Sequence, residues 1–214
     1  MKAELLGVFG NDLMVVNAAR VSFGKWKEEF DESDSKLIRY LAKHDHFTPF
    51  CHPQIQFRIT APIFVARQWF RSTVGVARNE TSRRYVDNSP EFFMPDEWRA
   101  RPDGSIKQGS GNSVSQAVSE KTRANYQNLV ELAEWSYMEA IEDGIAPEQA
   151  RMFLPQSMET QLIETGSLAY YARICKQRLD SHAQVEIQEL AQQVADSVAP
   201  LFPVSWPVLL GAKE

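Results

Sequence analysis

The sequence predicts a domain that mixes α-helix with β-strand, and three observations carry that reading. Residues 54–60, QIQFRIT, alternate between Ile55, Phe57 and Ile59 on one side and Gln54, Gln56, Arg58 and Thr60 on the other, the period of a half-buried strand. Other stretches repeat apolar side chains at helical spacing, the longest from about Ser115 to Asp143. The composition, 214 residues with 43% apolar and 24% charged, suits a soluble globular chain with one substantial core or two small ones.

Taken in order, residues 3–9, AELLGVF, read as a strand, and Asn11 or Asp12 then caps a helix in which Leu13, Val16, Ala19 and Arg20 share a face. Residues 24–31 form a linker of mixed charge. Ser33 or Asp34 caps a second helix with Leu37, Tyr40 and Leu41 in its stripe, and that helix stops before the turn HFTPFCHP. After the strand at 54–60, Pro62 opens a short helix, IFVARQWF, and Gly75 marks a loop. Residues 86–115, with three prolines and a Gly/Ser/Asn tract, predict irregular structure and a mobile tip at 104–113.

The long helix from Ser115 ends at Gly144 and should bury Tyr126, Leu129, Val130, Leu132, Ala133, Tyr137 and Ile141 as a structural spine. Pro147 starts a short helix that Pro155 breaks. SMETQLIET is a strand, SLAYYARICKQRL a helix, and AQVEIQELAQQVADSV a last helix that ends at Pro200.

Residues 67–85, RQWFRSTVGVARNETSRRY, gather Arg67, Arg71, Arg78, Arg83 and Arg84 around an Asn-Glu-Thr-Ser core. Like charges at such density repel unless an anion sits among them, and the guanidinium fork suits phosphate. Asn79, Thr81 and Ser82 are small enough to let backbone N–H groups approach the same oxygens, while Glu80 can accept from a ribose hydroxyl. A nucleotide is the ligand this implies. A salt-bridged helix end is the plain alternative.

The net charge of −5 argues against general nucleic-acid binding, so the arginines mark a local site. No apolar run reaches the roughly 20 residues of a membrane span, and MKAELLGVFGNDL lacks the form of a secretory signal, so the cytoplasm is the expected compartment. Cys51 and Cys175 make neither a disulfide framework nor a metal site, and no metal is expected. Cys51-His52 resembles a nucleophile followed by a histidine, but an isolated cysteine beside an aromatic residue and a proline is more often a small buried side chain.

Three segments together resemble the flavin-dependent thymidylate synthases: HFTPFCH, then RQWFRSTVGVARNETSRRY, then ARMFLP with TGSLAYYARICKQRLDSHAQVEIQELA. The resemblance runs from NAARVSF at 17–23 to the last helix, and NETSRRY and SHAQVEI are uncommon strings. It implies one α+β domain over residues 1–214, the thymidylate synthase-complementing protein fold, with an antiparallel sheet flanked by helices. It also implies a homotetramer with active sites at subunit interfaces. The implied reaction is the methylation of dUMP to dTMP with FAD, NADPH and 5,10-methylenetetrahydrofolate.

Residue by residue, the resemblance places dUMP at Gln68, Arg71, Glu80, Thr81, Ser82, Arg83, Arg84, Arg151 and Arg178, with Arg178 as the catalytic group beside the pyrimidine. It places FAD at His46, Thr48, Arg71, Ser72, Thr73, Asn79, Glu80, Ser167, Arg173 and His182, and folate toward His46 and Tyr85. On a continuous helix Arg178 and His182 would share a face. Ser82, with no base at fixed spacing, is assigned to phosphate rather than to nucleophilic attack.

The chain departs from the family's pattern at several positions. Arg71-Ser72-Thr73 stands for Arg-His-Arg, with eight rather than seven residues before Ser82, and Arg78 is the candidate to supply the missing charge. Cys51 stands for a glutamate, Ser167 for an asparagine, Ala169 for an arginine, and Arg173 for a histidine or asparagine. These changes suggest an alternative: a dUMP-binding relative with weakened or lost FAD binding, acting as a regulator or interaction module. An RNA-binding domain on the same arginines is disfavoured by the acidic balance.

Overall fold

A computed structural model describes residues 1–102 and 109–211. The chain divides into two compact units, one of residues 2–59, 69–79 and 163–214, the other of residues 1, 60–68 and 80–162. Four strands, β1 (Lys2–Phe9), β2 (Gln54–Pro62), β3 (Val76–Glu80) and β4 (Glu159–Ser167), pair in the order β1-β2-β4-β3. The sheet is antiparallel, and the α+β class follows. The helices among the described residues are α1 (Asp12–Arg20), α2 (Glu32–Lys43), α3 (Ile63–Trp69), α4 (Gln116–Glu142), α5 (Pro147–Ala150), α6 (Leu168–Arg178), α7 (Val185–Val198) and α8 (Ser205–Leu210).

In the larger unit the alternation of β2 does what its sequence dictates: Ile55, Phe57 and Ile59 are fully buried, and the Phe57 ring meets Tyr171 of α6 at 5.3 Å. Burying each such side chain contributes about 1.5–3 kcal/mol. Gln56 donates to Thr165 across the β2–β4 pair at 2.9 Å, and Ser167 N–H donates to Gly75 O at 3.0 Å, which fixes β4 against the start of β3. Gly75 is left-handed at φ 83°, and a Cβ there would meet Ser167 Oγ at 3.1 Å, so the turn into β3 asks for glycine. Strand β3 follows where the sequence offers only the loop at Gly75, because VARNE shows no alternation that would separate an edge strand from a turn.

Asn11 caps α1, its side chain accepting from Met14 N–H at 3.1 Å. Helix α2 begins earlier than predicted: Asp31 is the cap, and Asp34 closes a capping box as its third residue. Asp34 is fully buried and takes Arg20 and Lys27, so the linker at 24–31, exposed along most of its length, is pinned at its centre. Lys27 is held there by Asn17 as well, which bonds both its N–H and its carbonyl. Ile38 and Leu41 form the buried stripe of α2, while Tyr40 faces outward. Helix α8 was not anticipated. Its first backbone N–H, that of Ser205, is taken by buried Asp12 at 3.0 Å, as is that of Val204 just before it at 2.8 Å.

In the smaller unit α4 spans the predicted range and ends at Gly144 with φ 83°. Its buried side was misread, since Tyr137 is its one buried residue, and Leu129, Leu132 and Trp135 are exposed. A spine would bury a wide stripe; α4 leaves an apolar one open. The 86–115 segment is less irregular than expected, for Val114 N–H donates to Trp98 O and Ala100 N–H to Asn112 O, a short paired stem. Of the tip at 104–113, residues 104–108 lie outside the described residues. No described helix is long and apolar enough to cross a membrane, and no described cluster of His, Cys, Asp or Glu could hold a metal.

Candidate active site

The smaller unit folds part of the arginine stretch into a cleft. Glu80, Thr81, Ser82, Arg83, Arg84 and Arg151 line a space of about 420 Å³ over an apolar floor of Ile63, Leu154 and Met158. The last residue of β3 and the turn after it supply the first five, and the turn following α5 supplies Arg151. Thr160 Oγ1 donates to Glu80 Oε1 at 2.8 Å, which fixes the carboxylate while its other oxygen remains an acceptor. Three guanidiniums face one carboxylate here, a balance that attracts an anion.

The donors differ from those expected. Thr81 N–H is spent on Gln161 O at 2.8 Å, so the sheet takes it away from any phosphate. Ser82 Oγ accepts from Arg84 N at 3.3 Å and lies 3.4 Å from Arg84 Nε, orienting that arginine. Arg83 lines the cleft but donates to Asn88 O and stacks its guanidinium 5.8 Å from the Tyr137 ring, clamping the turn as much as facing a ligand. Tyr85 is exposed under Arg84, whose guanidinium lies 5.1 Å from its ring centre. Thr160 was missed by sequence reasoning, although its parity on β4 was a signal for it.

The larger unit holds the remaining groups. Arg178, half-buried at the end of α6, is held below the ordinary arginine range first by burial and then by the like charge of Arg71, with Tyr170 pulling the other way. An anion bound near these two charges would relieve their repulsion. Helix α6 stops at Arg178 and Leu179 caps it, so the shared helical face with His182 does not exist. His182 is instead exposed in a turn, its N–H and Nδ1 both 2.9 Å from Asp180 Oδ1. Those contacts lower the Asp180 carboxyl below its usual value.

Arg78 does not replace the missing phosphate contacts. Its Nε donates to fully buried Glu164 and an Nη to Ser72 O at 2.8 Å, while Tyr170 Oη lies against the same guanidinium. Trp69 Nε1 donates to both Glu164 oxygens at 3.1 Å. Glu164 therefore gathers α3, β3 and α6, and it was legible as an acid on the inward parity of β4 that needed a partner. Trp69, Tyr170 and Tyr171 are core.

Four of the predicted cofactor residues do come together. Arg173 donates to Val74 O at 2.6 Å, which sets its guanidinium beside the loop of Ser72 and Thr73. Ser167 caps α6 by accepting from Tyr170 N–H at 3.2 Å. Cys51, at the end of the 3-10 turn that Thr48 begins, lies against Ser167 and within the field of Arg173. Burial pushes the Cys51 thiol up more than those two neighbours lower it, so it is no ready nucleophile. A guanidinium held beside a left-handed glycine turn is a place where an anionic group can be bound. His46 and Thr48 also line a larger cavity of about 820 Å³.

An antiparallel α+β protein whose arginines and hydroxyls converge in two anion-seeking places is a nucleotide-binding protein. The chain belongs to the family described as thymidylate synthase complementing protein, whose profile matches residues 4–204. It is 39% identical over 97% of its length to a flavin-dependent thymidylate synthase of Thermosipho africanus, covering 90% of that protein. A Thermus thermophilus relative of the same name is 35% identical, with 95% of this chain and 73% of the relative aligned. Among solved structures, the UMP/dUMP methylase PolB of Streptomyces cacaoi bound with 5-Br dUMP superposes with a TM-score of 0.86 at 30% identity, covering 97% of this chain and 93% of that one.

Proposed function

We propose that this chain is a flavin-dependent thymidylate synthase, a methyltransferase that converts dUMP to dTMP. The observation that carries the reading is the cleft in which Glu80, oriented by Thr160, sits among Arg83, Arg84 and Arg151. Arg84 and Arg151 take the phosphate there, Ser82 holds Arg84 in place, and Glu80 accepts from the ribose. The resemblance gives Gln68, Arg71 and Arg178 to the pyrimidine end, supplied partly by another subunit. Uracil C5 is a weak nucleophile, and a guanidinium at the ring edge favours the anionic form that attacks the one-carbon donor. Donors aimed in this way contribute about 3 kcal/mol to lowering a barrier.

The flavin is FAD, held at its phosphates by Arg173, Ser72 and Thr73, with Ser167, Asn79, Thr48, His46 and His182 along it. When bound it supplies the hydride that completes the methyl group. NADPH is the reductant and 5,10-methylenetetrahydrofolate the one-carbon donor, so each turnover consumes one NADPH and releases tetrahydrofolate and dTMP. His46 and Tyr85 face the folate. No side chain here attacks covalently, which agrees with the raised Cys51 thiol.

The chain works as a homotetramer with shared active sites, in the cytoplasm, without nucleic acid or membrane. The open stripe of Leu129, Leu132 and Trp135 on α4 supports self-association, because so much exposed apolar surface on one helix asks for a cover. The test is release of tritium from dUMP labelled at C5, with FAD, NADPH and methylenetetrahydrofolate, run beside UMP, and light scattering for mass. Release from dUMP in the full mixture and its loss when FAD is withheld support the reading. Tight dUMP binding with no flavin uptake selects the regulatory alternative.

A further inference from the structure

The loop at 70–75, between α3 and β3, is gripped by its carbonyls. Ser72 O accepts from Arg78 at 2.8 Å, Val74 O from Arg173 at 2.6 Å, and Gly75 O from Ser167 N–H at 3.0 Å. Among the described residues no peptide bond is cis, and in a trans peptide the C=O and the next N–H point opposite ways. Drawing Ser72 O and Val74 O inward therefore turns the N–H groups of Thr73 and Gly75 to the other side of a loop that is exposed at both residues. Among the described residues no carbonyl or side chain accepts either of them. Ser72 and Thr73 bring hydroxyls but no charge, so what the loop itself offers an anion is this pair of amides.

The grip at Ser72 depends on a charge pair. The Arg78 side chain is 15% exposed, and the Glu164 carboxylate it meets is fully buried. Its Nε donates to Glu164, while an Nη reaches Ser72 O and Tyr170 Oη. The guanidinium lies 5.1 Å from the Phe70 ring centre and 5.6 Å from that of Tyr170, and Arg173 lies 5.9 Å from the same tyrosine. Tyr170 thus sits against both cations that hold the loop. Arg78 cannot swing out to a ligand without stranding a buried charge, so whatever it does for one it does through Ser72.

We propose that Arg78, braced by Glu164, is a positioning residue: it sets the 72–75 loop so that the Thr73 and Gly75 amides face the diphosphate of the flavin cofactor, which Arg78 itself does not touch. Two aimed amides beside the Arg173 guanidinium suit such an anion. The inference rests on the flavin reading above and adds the pair that orders its loop before the ligand arrives.

The test uses the full-length protein as Arg78→Lys and as the double variant Arg78→Ala with Glu164→Gln. Lysine keeps a cation for Glu164 but lacks the fork that also holds Ser72 O; the double strands no charge yet leaves Ser72 O unheld. FAD is titrated by quenching of its fluorescence, with calorimetric melts of the flavin-free protein alongside. Both variants should bind FAD about tenfold more weakly, although the double melts nearer to wild type than Arg78→Ala does. At saturating FAD the KM for dUMP should stay within about twofold in Arg78→Lys. Hydrogen exchange over residues 70–76 should slow when FAD is added to wild type, and much less in either variant.

An affinity that follows the melting temperature, recovering in the double as far as stability does, makes Arg78 purely structural and overturns the proposal. So does a wild-type loop whose exchange FAD leaves unchanged. ADP separates the two readings. If wild type takes up no FAD but ADP slows exchange in the loop, and less so in Arg78→Lys, the flavin reading fails and the positioning stands. If FAD binds and the loop stays unprotected, the reverse holds, and if neither ligand binds, both fall.

Discussion

Replacing Arg78 with alanine separates two accounts of that residue with one thermal melt. Glu164 is fully buried and takes its charge balance from the Arg78 guanidinium, with Trp69 and Tyr170 supplying neutral donors. Removing the cation leaves a buried carboxylate without an opposite charge, a loss of about 3–5 kcal/mol. For a chain of this size each kcal/mol moves the melting temperature by about 2–4 °C, so Arg78→Ala should melt about 6–20 °C below wild type. Glu164→Gln on top of it removes the stranded charge and should recover about half of the loss, a coupling that a cycle of the two singles and the double measures. Differential scanning calorimetry is the assay, with flavin titration in parallel. A fall of less than about 2 °C accompanied by a large loss of flavin affinity would refute this reasoning and return Arg78 to the cofactor's phosphates.

The other predictions concern chemistry and pH. Arg178→Ala should lower kcat by about a hundredfold while moving the melting temperature by less than about 3 °C, because removing Arg178 also relieves its repulsion with Arg71; equal damage to turnover and stability would count against its role. Ser82→Ala should raise the KM for dUMP and leave turnover measurable, since the hydroxyl orients Arg84; complete inactivity with intact dUMP binding would revive a serine nucleophile. Lys27 is raised from 10.5 by its bonds to Asp31 and then Asp34, while Asp34 sits below 3.8 because Lys27, the Asp31 N–H and Arg20 outweigh its burial. A lowered acid stabilises above its unfolded value and loses that as pH falls; a raised amine stabilises below its unfolded value and loses that as pH rises. Melting temperature should therefore be flat from about pH 5 to 9, falling below about 4 and above about 10.5, and Asp34→Asn should flatten the acid limb.

The elements with strong periods or punctuation were legible in the chain itself. Ile55, Phe57 and Ile59 announced β2, and Ser115 and Gly144 bracketed α4 to within a residue. What failed was whatever depended on neighbours. Leu129 and Leu132 look like core on a helical wheel, but nothing among the described residues covers them, and periodicity does not reveal what a face meets. The five arginines looked like one cradle because sequence distance is short. A strand runs through them, and it sends Arg78 to Glu164 while Arg83 and Arg84 follow the turn beyond it. His182 was carried by a helix that ends too soon. Residue-level resemblance pointed to Glu80, Ser82, Arg84 and Arg151 before any geometry did, yet Thr160, which sets Glu80, lay outside every motif.

The Asp12 carboxylate bears on how the molecule is made. Ribosomes deliver it near the beginning, but the two amides that satisfy it, those of Val204 and Ser205, emerge almost two hundred residues later. Until then a polar group destined for the interior has no partner, so α1 cannot settle against its neighbours while synthesis is under way. A nascent chain stalled short of residue 204 should stay sensitive to protease around α1, whereas release of the finished polypeptide should bring protection of both ends together.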